Sequence, residues 1–166
     1  MRTLLIGMLL ILQTNDLLAQ KKSSECIYDS TTINAEFIKL ISIDSYNWND
    51  VTKEAKIITK QGDFLYIRKW ACVTRGTLAR LIVLGEYEPI ENNFIKWKSK
   101  VLQSGKEVLS QMAYIELNNH LQDDKLVAER VGTDLVFNIK SKTLKKFVVV
   151  ISPLDKMVVI NYLAYD

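Results

Sequence analysis

The stretch from Thr133 to Tyr165 constrains this chain most. It reads as three consecutive antiparallel strands, Thr133–Lys140, Leu144–Ser152 and Met157–Tyr165. From Phe147 to Ile151 the middle strand is apolar on both faces. A half-buried strand alternates apolar and polar residues, whereas one apolar on both faces is covered on both sides or sits at a sheet centre. The other segments must therefore supply the cover.

Upstream, Asp63–Val73 is rich in strand formers (Phe64, Tyr66, Ile67, Trp70), Thr74-Arg75-Gly76 has turn chemistry, and Leu78–Leu84 returns as a partner strand before Gly85. The other segments read as helices. Ile33, Phe37, Leu40 and Ile41 recur at helical spacing after the N-cap candidates Thr31 and Thr32. A turn-rich run, Asp44–Asp50, then precedes a second helix on Val51, Ala55 and Ile58, capped by Asn49 or Asp50 and ended by Gly62. Pro89 suits the first position of a third helix, whose stripe of Ile90, Phe94, Trp97 and Val101 continues through Gly105 to Val108, Met112 and Ile115. Glycine inside a helix costs ~1 kcal/mol relative to alanine, so a break at Gly105 is expected. Lys125–Val131 reads as a further short helical piece.

The expected fold class is α+β. An antiparallel sheet of about five strands, an N-terminal hairpin plus a C-terminal three-stranded meander, is covered by helices. Phe37-Ile38-Lys39-Leu40 is echoed by Phe94-Ile95-Lys96-Trp97, and Thr77–Leu84 by Thr143–Val150. Two duplicated ααββ halves would produce that pattern.

The chain has 166 residues, 48% hydrophobic and 25% charged, which suits one domain with a substantial core. A formal charge of +3 is too mild for a nucleic-acid-binding surface. Residues 1–19 read as a signal peptide, with a basic start at Arg2 and an apolar run, Leu4–Leu12, too short for the ~20 residues of a membrane span. Cleavage is expected after Ala19, where Ala19-Gln20 before a lysine pair resembles the signal peptides of exported bacterial proteins. Residues 20–30 then form a flexible leader, and 31–166 the single domain. Cys26 and Cys72 would both remain. In an oxidising compartment this even pair allows one disulfide, worth about 4 kcal/mol in the chain-entropy model; the alternative is two buried thiols.

Chemistry has few candidates. Glu116, His120 and Asp124 follow at i, i+4 and i+8 and would share a helix face, giving a polar cluster around the single histidine; a solvated helix end is the simpler reading. There is no Gly-x-Ser-x-Gly elbow, Gly-rich phosphate loop or His-Glu-x-x-His spacing. No cofactor is expected.

Two groups suggest a binding surface. Tyr66, Arg68 and Trp70 share one strand face with Cys72 and are residue types favoured at binding hot spots, unless they lie beneath the N-terminal helix. Lys140, Lys142, Lys145 and Lys146 crowd one hairpin tip, where they would meet an anionic partner or simply discourage edge pairing. The reading favoured by the sequence is an exported, non-enzymatic binding module whose partner is another envelope or extracellular protein. A hydrolase centred on His120 and a small hydrophobic-ligand carrier are the alternatives.

Overall fold

The computed structural model describes residues 29–85, 94–122 and 128–166. Four strands come first: β1 (Ile43–Asn49), β2 (Glu54–Thr59), β3 (Phe64–Ala71) and β4 (Arg75–Leu84). Two helices, α1 (Phe94–Val108) and α2 (Gln111–Gln122), precede β5 (Glu129–Val131), β6 (Asp134–Asn138), β7 (Lys146–Leu154) and β8 (Met157–Tyr165). All eight strands form one antiparallel sheet in the order β1-β2-β3-β4-β8-β7-β6-β5. Two four-stranded meanders thus meet along β4 and β8.

Alternation decides which face is covered. Ala55 and Ile57, Leu65 and Ile67, Ala79 and Leu81, Val158, Ile160 and Tyr162, Val149 and Ile151, and Leu135 and Phe137 are buried in one core. The same core holds Trp97, Val101 and Val108 of α1, Ala113, Leu117 and Leu121 of α2, and Ile38 and Ile41 of the N-terminal segment. The described helices therefore cover this face. No described helix is long and apolar enough to cross a membrane.

The α+β class and the antiparallel sheet agree with the sequence, but the strand count is eight, not five. The second helix expected at Val51–Ile58 is the β1–β2 hairpin. Its helical stripe was accidental: Val51 is 92% exposed, while Ala55, Ile57 and Thr59 point inward at strand spacing. Asn49 does accept from the amides of Val51 (2.9 Å) and Thr52 (3.1 Å) as a helix cap would. The chain instead closes a tight turn, with Lys53 at φ 55°. The run Asp44–Asp50, read as a turn, lies mostly in the polar edge strand β1. The helix expected from Thr31 is two 3-10 pieces, Ser30–Thr32 and Ala35–Leu40, capped by Asp29 and Asn34.

Within the piece expected as Lys125–Val131, residues 129–131 form β5. The expected doubling of an ααββ unit is not found: strands and 3-10 turns precede β3, whereas α-helices precede β6. Gly105 lies inside α1, and the break comes at Leu109–Ser110. A Cβ at Gly105 would fall 2.7 Å from the Leu117 side chain. The residue's helix-propensity cost thus permits close packing of α1 against α2.

Two polar contacts fix α1 to the sheet. The Lys100 ammonium reaches the Asp63 carboxylate at 2.5 Å and Gln61 at 2.9 Å, both in or beside the β2–β3 turn. The fully buried Tyr162 hydroxyl of β8 donates to the Val101 carbonyl at 2.8 Å and lies 2.6 Å from Ser104 Oγ. Burial pushes the Tyr162 phenol far above its usual range, although the Ser104 contact favours the ionised form.

Candidate functional site

Three rows of inward-facing residues cross the central strands β3, β4, β8 and β7. Leu65–Leu81–Ile160–Ile151 and Ile67–Ala79–Tyr162–Val149 are filled by bulky apolar groups. The next row is Lys69–Thr77–Ala164–Phe147. Its two middle residues are small, and the corner between α1 and α2 lies opposite it. The space left open is a cleft of about 520 Å³ between the sheet end and the α1–α2 corner. Ile33, Leu109, Met112, Ala113, Leu144 and Ala164 give it apolar walls; Thr77, Ser110 and Thr143 add hydroxyls. Trp70, Arg75, Gly76 and Asp166 complete the lining.

Lys69 is the distinctive group. It holds an inward register position between Ile67 and Ala71, where alternation demands an apolar residue. Its ammonium lies 4.0 Å from the centroid of the Phe37 ring, which stands edge-on to Trp48 at 5.8 Å. Burial lowers the Lys69 pKa below the ordinary lysine value. Among the described residues no carboxylate forms an ion pair with it. Sequence reading passed over Lys69 although a signal was present: one charged residue interrupts the apolar alternation of β3.

At this sheet end Asp166 clasps the β3–β4 hairpin. Its carboxylate accepts from the Arg75 amide at 2.8 Å and the Arg75 guanidinium at 3.3 Å, and its amide donates to the Arg75 carbonyl at 3.1 Å. Trp70 packs across Gly76, where a Cβ would fall 2.3 Å from the indole ring, and tilts against Tyr165 at 6.4 Å. The indole N–H donates to Thr74 Oγ1 at 3.2 Å.

Tyr66, Arg68 and Trp70 occupy the face turned away from the helices, opposite the one where Ile38 and Ile41 of the N-terminal 3-10 segment join the core. Arg68 is exposed, Tyr66 and Trp70 half-buried. Arg68 approaches Glu54 at 3.8 Å, and burial together with Glu54 raises the Tyr66 pKa. Lys140, Lys142, Lys145 and Lys146 are all exposed around the β6–β7 connection. The register sets Trp70, Gly76, Tyr165 and Lys146 in one row, so the aromatic and basic groups share one end of the sheet.

The polar cluster is only partly described. Glu116 and His120 are one turn apart on α2, which stays helical through Asn118 and Asn119, while Asp124 lies outside the described residues. Glu116 Oε1 accepts from the Lys142 amide at 3.0 Å, tying α2 to the basic hairpin; its Oε2 is buried with no hydrogen-bond partner among the described residues. No group of three metal-ligating side chains occurs among the described residues. Cys72 is half-buried just after β3, and Cys26 lies outside the described residues.

Comparison with protein-family models, with curated proteins and with solved structures finds no match to this chain.

Proposed function

We propose that this chain is an exported, non-enzymatic binding module that holds a small amphipathic ligand in the cleft below the α1–α2 corner. The observation that carries this reading is the cleft itself. Its volume of about 520 Å³ lies within the range of small-molecule sites, and apolar walls with a few polar groups are their usual lining. In the alternative polar cluster of Glu116, His120 and Asp124, Glu116 Oε1 accepts from the Lys142 backbone amide.

The sequence features of residues 1–19 support removal of this segment on export to the bacterial envelope or beyond. The same oxidising setting supports a Cys26–Cys72 bond. Mass spectrometry of the native protein checks both: it should begin at Gln20 and weigh two hydrogen atoms less than its reduced form.

Titration of the purified full chain with the neutral dye N-phenyl-1-naphthylamine tests the ligand site. Saturable fluorescence enhancement is expected. Met112→Trp, at a 56% exposed lining position, should reduce it at least about tenfold by filling the cleft mouth. Undiminished dye binding by a folded Met112→Trp protein would place the dye elsewhere and remove this support.

A further inference from the structure

We propose that Lys69 makes the cleft a subsite for an anionic head group, so that the ligand is an apolar chain or ring bearing a carboxylate. This assignment rests on the ligand-binding reading above and names its chemistry.

A lysine that snorkels to water needs no explanation. Lys69 is instead half-buried at a core-facing position between Ile67 and Ala71, with its ammonium against the Phe37 ring. Such a cation is costly unless something opposite in charge or in quadrupole compensates it. The face of Phe37, 4.0 Å away, supplies part of that compensation. A ring face is a weaker partner than a carboxylate, and among the described residues no carboxylate pairs with this ammonium.

Arg75 and Asp166, both lining the cleft, lie 3.3 Å apart as an ion pair. Lys69 is the lining cation for which the described residues supply no carboxylate, which suits an anionic group. The hydroxyls of Thr77 and Thr143 line the same cleft and provide further donors for its oxygens. The walls from Leu109, Met112 and Leu144 suit the apolar remainder. A free inorganic anion would leave these walls wet, so the geometry favours an amphipathic acid.

The experiment is displacement of N-phenyl-1-naphthylamine from the full chain by sodium decanoate and by decanol. Decanol is the more apolar of the two, so a purely hydrophobic cleft prefers it. The expected result is the reverse: decanoate displaces the dye at roughly tenfold lower concentration, the factor that one charge-assisted hydrogen bond supplies. Lys69→Met should abolish that preference, and Lys69→Arg should retain it. Dye bound but displaced better by decanol overturns the anion subsite and leaves the ligand-binding reading standing. A decanoate preference that survives in Lys69→Met overturns the assignment to Lys69. Absence of dye binding in the wild-type chain overturns both.

Discussion

The ammonium of Lys69 rests 4.0 Å from the centre of the Phe37 ring, which joins the middle of the sheet to the N-terminal 3-10 segment. Both groups are half-buried, and burial alone moves the lysine's pKa down. The charged form is thus less favourable in the folded chain than in the unfolded one.

This relationship has a pH signature. Between the lowered folded value and the ordinary lysine value, the unfolded chain binds the extra proton, so stability rises with pH through that window. Lys69→Met lacks this titration. The melting temperature of the variant minus that of the wild type should therefore fall as pH is raised from 7 towards 10. A difference that is flat or grows with pH would show that Lys69 is solvated like any surface lysine.

Gly76 is required by Trp70 rather than by backbone conformation. A Cβ there would overlap the indole at 2.3 Å and the Tyr165 Cβ at 2.7 Å, so Gly76→Ala must displace the ring from the sheet. The expected cost is about 1–3 kcal/mol, with a red shift of tryptophan emission. Urea unfolding followed by fluorescence reads both effects. An unchanged midpoint would mean that the indole swings aside freely.

Tyr162→Phe removes a hydroxyl that is wholly buried between Val101 and Ser104. The carbonyl and Ser104 lose a partner where water cannot replace it, so about 1–2 kcal/mol should be lost in chemical denaturation. Because burial holds the Tyr162 phenol far above its ordinary range, it should not ionise before the chain unfolds. The alkaline absorbance change of the folded variant should then equal that of the wild type. A smaller change in the variant would show Tyr162 titrating in the native state.

The Asp63–Lys100 pair should behave as a partly buried bridge, its side chains 9% and 21% exposed. Asp63→Asn is expected to cost about 2–3 kcal/mol, because Lys100 keeps its charge beside the core and loses its counter-charge. Adding Lys100→Met should recover part of that loss. Strict additivity of the two single variants in a double-mutant cycle would refute coupling between these groups.

By itself the sequence determined the elements whose periodicity is unambiguous. The hairpin of β3 and β4, the meander of β6, β7 and β8, and the buried stripe of Trp97, Val101 and Val108 were all legible from local spacing. The face presenting Tyr66, Arg68 and Trp70, and the basic tip at Lys140–Lys146, were legible as groups for the same reason. Short elements were not. The strand Glu54–Thr59 fits either period over so few residues, and only its pairing with Phe64–Arg68 and Ile43–Asn49 selects the strand. Likewise Gly105 reads as a break until α2 lies against it.

The cleft was beyond any local reading. It exists because Lys69, Thr77 and Ala164, distant in sequence, fall into one register row where the middle residues are small, opposite the α1–α2 corner. Alternation could flag Lys69 as a charge at an inward position. Only the packing of two meanders along β4 and β8 under one helical corner decided what that charge faces.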